Sequence, residues 1–254
     1  MGFFADLGRW FLENWSGDAG WLVRIWQHVE VSAVAVVAAV LVALPLGAWL
    51  GHTGRGGLAV VSVVNIGRAM PSFGILALAL PFTIWLADTV WFIDNGLGFA
   101  PTFVALFALA LPPVFTNTWA GIRGVDPEIV EAARGMGFTG RRLLRDVEFP
   151  LALPVILTGV RVTAVQVVAT ATLGALVGYG GLGRYIIDGF ATQDDVRIVA
   201  GALLVAALSV LTEAMFSLVE RRVVSPGLGI ERQTTVPTPE TRFRNGEHPE
   251  AVLS

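Results

Sequence analysis

The chain contains no cysteine and no lysine, and only 15% of its 254 residues carry charge. Without cysteine there are no disulfides, no thiolate nucleophile and no zinc–sulfur site. The three histidines, His28, His52 and His248, are far apart and lack metal-ligand spacing, so no metal site is expected. No GxxxxGK[ST] loop occurs, so ATP is not bound by that device. Neither a catalytic constellation nor a short-period repeat is visible, and no cofactor or nucleic-acid partner is implied. The opening MGFFADLGRWFLENW lacks a basic n-region and holds Asp6 and Glu13, which argues against a cleavable signal. A soluble domain of this size is usually about one quarter charged, so the scarcity of charge already excludes an ordinary water-soluble fold.

What is abundant is apolar sequence: 54% hydrophobic residues and a mean hydropathy of +0.68. The polar residues are gathered into loops and ends, the pattern of one integral membrane domain. Crossing a hydrocarbon core takes roughly 20 apolar residues. Five segments qualify, at 29–51, 57–87, 98–122, 150–178 and 196–219. The second is broken by Pro71 and Pro81, and the third contains Pro112 and Pro113. Buried prolines are tolerated in membrane helices because neighbours satisfy the freed carbonyls. Residues 1–27 read as an interfacial lead-in rich in Trp and Phe, 28–222 as the membrane domain and 223–254 as a disordered, proline-punctuated tail.

Every basic residue is arginine, and arginine placement sets orientation. Arg55, Arg123, Arg134, Arg141, Arg142, Arg145, Arg221 and Arg222 fall on one side of a five-span arrangement. Arg9, Arg24, Arg184 and Arg197 fall on the other. The expectation is an N-terminus outside and a C-terminus in the cytoplasm.

Between the third and fourth spans lies a charged island, DPEIVEAARGMGFTGRRLLRDVEFPLALP, residues 126–154. Asp126 suits an N-cap and Pro127 the first helical position, where a missing N–H is harmless. Glu128 and Glu131 complement the positive end of the helix dipole. Gly135 and Gly137 stop this helix, and Thr139 caps a second, GRRLLRDVEF, expected to end against Pro150. Ala132 and Ala133 leave a helix face low enough for another surface to approach, with Glu131 and Arg134 able to pair across it. Two short helices on a glycine elbow beside a membrane form a docking element for a partner in water. The alternative is a hairpin that only anchors topology.

Glu131-Ala132-Ala133, then Gly137, Pro150 and Pro154, resemble the EAA loop of ABC-importer permeases. Within that family the chain is similar to permeases of osmoprotectant importers. The segments carrying this likeness are 67–73 (GRAMPSF), 111–118 (LPPVFTNT), 125–127 (VDP), 170–178 (TATLGALVG) and 180–183 (GGLG), followed by Tyr185-Ile186. The resemblance spans about His28 to Leu218. It implies an all-α type I ABC-importer permease fold whose coupling loop, 123–149, inserts into a cytoplasmic ATPase. It also implies a non-catalytic transporter subunit. The implied partners are an ATP-binding subunit dimer, an extracytoplasmic substrate-binding protein and a second permease half, identical or paralogous. Coupling residues carried over are Asp126, Pro127, Glu131, Ala132, Ala133, Gly135, Gly137, Arg141, Pro150 and Pro154. Glycine betaine, carnitine, choline or proline betaine is the implied cargo. Importers of methionine or another small solute are the alternative, and a stand-alone channel or carrier is a more distant one.

Polar residues inside spans mark a transport pathway because they are costly in lipid. In the fourth span Thr163, Gln166 and Thr170 recur at i, i+3 and i+7 on one helix face, with Thr172 just beyond. Helix–helix hydrogen bonding is the competing reading for the threonines. Asn65 and Arg68 are paired candidates in the second segment, where Arg68 either gates or snorkels. Glu213 of the fifth span is matched with Arg161. The run GYGGLG, 178–183, follows a membrane span and not a strand, which excludes a dinucleotide loop. Gly178, Gly180, Gly181 and Gly183 instead suggest a flexible external hairpin, either an outer gate or a plain connector. Most tryptophans lie at span ends, as in an aromatic belt, so the residues alone do not reveal a site for a quaternary ammonium compound.

Overall fold

A computed structural model describes residues 2–54, 62, 71–89 and 96–223. The described residues form an all-helical membrane bundle. A short amphipathic helix α1 (Phe3–Glu13) precedes α2 (Trp21–Thr53), α3 (Ser72–Thr89) and α4 (Phe99–Arg123). The hairpin helices α5 (Pro127–Gly135) and α6 (Gly140–Leu143) follow. A π-helical turn (Leu144–Glu148) leads into α7 (Phe149–Thr170), which tightens into a 3₁₀ segment (Ala171–Val177). The bundle closes with α8 (Gly183–Thr192) and α9 (Asp195–Val223).

Five helical stretches among the described residues are long and apolar enough to span a bilayer, the number expected. The first helix begins at Trp21, ahead of the expected boundary at residue 28. At about 1.5 Å per residue its 33 residues exceed the bilayer core, so its first turns project into the interface. There Trp21 Nε1 donates to Phe11 O at 3.1 Å and ties α1 to α2. The second segment resolves into α3, which starts directly after Pro71 and contains Pro81. Its upstream part, with Asn65 and Arg68, lies outside the described residues, as does the tail expected beyond Val223.

α4 occupies the middle, packed against α2, α3 and α7. Small residues allow this approach, as membrane packing requires. A Cβ at Gly47 would stand 3.0 Å from Phe115 O, and one at Gly159 only 2.4 Å from Asn117 Cβ. Val31, Ala35, Ala39, Leu106, Ala110, Ala164 and Val167 form the central core. The Pro112-Pro113 pair is buried within α4. Its carbonyls are served by side chains, Thr116 Oγ1 donating to Pro112 O at 2.9 Å and Asn117 Nδ2 to Pro113 O at 2.8 Å.

One expected boundary is corrected. The second hairpin helix does not end at Pro150; helix runs on from Gly140 into the fourth span. Proline cannot donate and its ring clashes with the carbonyl four residues back. The π turn resolves this conflict by widening the helix just before Pro150, with Phe149 N–H donating to Leu144 O, five residues back.

Candidate coupling hairpin and transport face

Asp126 Oδ1 accepts Glu128 N–H at 2.9 Å, and Pro127 opens α5. Thr139 occupies the N-cap of α6, but its side chain makes no capping bond; its carbonyl accepts Arg142 N–H at 3.0 Å instead. Gly137 holds φ +89° at the elbow, where Phe138 N–H returns to Ala133 O at 3.1 Å. Glu131, Ala132, Gly135 and Arg141 face outward, whereas Ala133 is buried against its own chain. Ile129 (45% exposed) and Met136 (72%) also face outward, giving this polar hairpin an apolar contact patch. Pro150 is exposed, and Pro154 lies inside α7 with its carbonyl accepting Thr158 Oγ1–H at 3.0 Å.

The hairpin is fixed to the bundle from beneath. Leu143 is buried, and the carboxylate of buried Glu148, in the π turn, meets His52 Nδ1 at 2.6 Å. His52 lies in the last turn of α2. The hairpin is therefore tied to the end of the first span, 96 residues away in sequence. No local pattern announces this pair.

On α7 the threonine hydroxyls turn to their own helix. Thr163 is buried and donates to Gly159 O at 2.7 Å; Thr170 donates to Gln166 O at 2.7 Å and Thr172 to Ala169 O at 3.0 Å. Gln166 is exposed while Thr163 is not, so these candidates divide between an open face and the core. Arg161 Nε approaches Glu213 Oε1 at 3.5 Å, the expected partner, and Arg161 Nη1 meets Glu220 Oε2 at 3.1 Å, a second one. Glu220 is seven residues after Glu213 and thus on the same helix face, a signal present in the sequence.

The glycine loop after α7 is packed tightly. Gly178 and Gly181 have positive φ, as a left-handed turn demands. A Cβ at Gly180 would collide with the Gln27 carboxamide, and one at Gly183 with Thr172 O. Gly181 N–H donates to Gln27 Oε1 at 2.9 Å, and Leu182 N–H to His28 Nδ1 at 3.3 Å. The expected flexible hairpin is thus seated on the start of α2. Beside it, Tyr179 Oη donates to Gln27 O at 2.8 Å. Burial pushes the Tyr179 phenol up to about 12, and the Glu30 carboxylate adds to the effect.

These features agree with what the chain is similar to. Residues 20–225 match the model for the binding-protein-dependent transport system inner membrane component. The chain belongs to this family. It is 35% identical over 218 residues to the glycine betaine/carnitine/choline transport system permease protein OpuCB of Bacillus subtilis (strain 168), covering 86% of this chain and 94% of the relative. It is 36% identical over 212 residues to the carnitine transport permease protein OpuCB of Listeria monocytogenes, covering 84% and 92%. Among solved structures, the MetNI methionine ABC transporter in an inward-facing conformation superposes with a TM-score of 0.70 at 24% identity, covering 80% of this chain and 96% of that one. The fold is that of type I ABC-importer permeases.

Proposed function

We propose that this permease is the membrane subunit of an ATP-driven importer of osmoprotectants such as glycine betaine, carnitine, choline or proline betaine. The observation carrying the proposal is 34–36% identity, over most of the chain, to permeases named for glycine betaine, carnitine or choline. The hairpin 126–148 is the docking element for a separate cytoplasmic ATPase, consistent with its outward Glu131, Ala132, Ile129 and Met136. One chain carries one hairpin, and an ATPase dimer offers two nucleotide sites, so two permease halves assemble. Closure of the ATPase dimer draws the two hairpins together and rocks the bundles between inward-open and outward-open states. A ligand shifts such an equilibrium only through differential contact with the two states, and the hairpin supplies that contact. An extracytoplasmic binding protein delivers cargo from the side of the glycine loop, with the N-terminus outside and the C-terminus in the cytoplasm.

The test is uptake of labelled glycine betaine in cells lacking this gene and in cells with it restored. Unlabelled carnitine, choline, proline and methionine serve as competitors. Restored uptake blocked by quaternary ammonium compounds supports the proposal. Restored methionine uptake with no betaine uptake would replace the cargo and leave the permease assignment.

A further inference from the structure

Among the described residues α2 and α9 each pack against α7 but scarcely against each other. Between them lies a crevice of about 190 Å³. α2 lines it with Ser32, Val36 and Val37, α7 with Val168, and α9 with Met215 and Phe216. The lining is almost wholly apolar, and Ser32 breaks the pattern. Ser32 is 3% exposed, and its hydroxyl has no hydrogen-bond partner among the described residues. A hydroxyl on a membrane helix usually turns to the carbonyl four residues back. Thr163 and Thr212 do so, at 2.7 and 2.8 Å. Ser32 does not, and a buried hydroxyl without a partner is costly. The crevice therefore presents one unpaired donor on an apolar wall.

Depth separates the occupants that could answer this donor. Ser32 stands 21 residues before Thr53, at the end of α2 that His52 ties to the hairpin. At about 1.5 Å per residue that is about 30 Å, the full thickness of a hydrocarbon core. Ser32 thus lies at the polar boundary of the leaflet on the glycine-loop side, the depth of a lipid's glycerol esters. Val36 and Val37 lie about one turn deeper. Phe216 is seven residues from the far end of α9, so the crevice runs from the boundary toward the middle of the bilayer. Water does not suit it, because a buried water needs several polar partners. A helix, about 10 Å across with its side chains, is too wide to enter. A single flexible hydrocarbon chain fits.

We propose that the crevice holds one acyl chain of a glycerophospholipid from the leaflet on the glycine-loop side. Ser32 Oγ–H donates to the ester carbonyl, and the chain runs past Val36 and Val168 to Met215 and Phe216. Burial in hydrocarbon brings no hydrophobic gain, so this chain is singled out from bulk lipid by the hydrogen bond and by packing. It wedges between α2 and α9 on the flank of α7, the helix continuous with the hairpin. The cargo plays no part in this site.

The experiment places the importer, with its ATPase, in nanodiscs of dioleoyl phosphatidylcholine. These contain a phosphatidylcholine probe with a diazirine midway along one ester-linked chain, or the same probe with ether-linked chains. After illumination, adducts are located by peptide mass spectrometry. Leu211, 64% exposed and outside the crevice, reports contact with bulk lipid. Val168, 6% exposed, and Phe216 report the site. The ester probe labels Val168 and Phe216 as well as Leu211. Ser32→Ala lowers the Val168 and Phe216 adducts about threefold, the loss of one hydrogen bond. The ether probe gives that lower level in wild type and in Ser32→Ala alike. Ala33→Phe, at another lining residue, puts a ring into the crevice and removes both adducts. Leu211 adducts and basal ATP hydrolysis stay unchanged in both variants. Labelling of Leu211 without Val168 or Phe216 in the wild type overturns the site and leaves a side chain of the second permease half to fill the crevice. Equal labelling of Val168 by the two probes, with no loss in Ser32→Ala, overturns it too, because the hydroxyl then holds no ester. Neither comparison needs a bulky substitution, so both decide the matter even where Ala33→Phe fails to assemble.

Discussion

His28 Nε2 donates to Val168 O at 2.8 Å while its Nδ1 accepts Leu182 N–H. One buried imidazole thus joins the first span, the fourth span and the glycine loop between the fourth and fifth. Both ring nitrogens are used, which fixes the neutral Nε2–H tautomer. The acceptor, Val168, lies five residues after Thr163 on α7, where the helix approaches its 3₁₀ segment.

His28→Leu preserves bulk but leaves a buried carbonyl and a buried N–H unsatisfied, each at about 1–3 kcal/mol. The expected result is a lower melting temperature for the purified complex and faster amide exchange at residues 178–183. Unchanged exchange there would show that the loop is held by packing and not by the imidazole.

Gly183→Ala is expected to be among the most damaging single-methyl additions at the described glycines. Its Cβ would stand 2.1 Å from Thr172 O, a backbone atom that cannot swing away. Overpacking of this kind costs about 1–3 kcal/mol or more. Gly8→Ala, where nothing lies within 4 Å, is the matched control. Expression and thermal stability of the two variants should diverge, and equal behaviour would mean the loop relaxes freely.

The bundle was readable from sequence because membrane burial writes itself as length and hydropathy. Five apolar stretches became five spans, and Asp126-Pro127 capped α5 by local chemistry alone. The partner of Arg161 was also readable, since an intramembrane arginine needs a carboxylate. What escaped was set by long-range packing. The roles of His28 and His52 were not legible because nothing local to either names its partner, 140 and 96 residues away. The π turn was missed because Pro150 signals a helix stop, while a widened turn lets the helix continue. The seat of the glycine loop was not legible because sequence shows the lack of side chains, not the Gln27 and Thr172 atoms that fill their place. Exposed Ile129 and Met136 were hidden by the charge around them.

Gly137→Trp and Glu131→Arg test the hairpin. At Gly137 a left-handed φ costs an ordinary residue about 1–2 kcal/mol, and no atom of the chain lies within 4 Å of a Cβ there. Membrane insertion and bundle stability should survive either change. Co-purification with the ATPase subunit, or transport-coupled ATP hydrolysis, should be lost. Normal uptake in both variants would refute the docking role.

Arg161→Met removes the guanidinium shared by Glu213 and Glu220 and leaves two carboxylates on α9 without their cation. The destabilisation expected is about 1–3 kcal/mol, less than for a fully buried pair because Glu213 is half-exposed. Combining Arg161→Met with Glu213→Gln and Glu220→Gln should recover most of the lost melting temperature. Failure to recover would place the arginine's role outside this ion cluster.

His52→Ala and His52→Gln separate anchoring from packing at the base of the hairpin. The Glu148 side chain is 6% exposed, and among the described residues its one side-chain contact of this kind is with His52 Nδ1. Removing one partner of a buried pair costs about 3–5 kcal/mol when the remaining charge cannot reach water. His52→Ala therefore lowers stability and loosens the hairpin from α2. His52→Gln keeps a donor and restores part of both. The decisive readout is coupling: moles of cargo moved per ATP hydrolysed by the intact importer. A rigid tie between α2 and the π turn should transmit hairpin motion into the first span, so His52→Ala should hydrolyse ATP while transporting less per ATP, with His52→Gln between it and the wild type. An unchanged ratio in His52→Ala would mean that the hairpin drives the bundle through α7 alone.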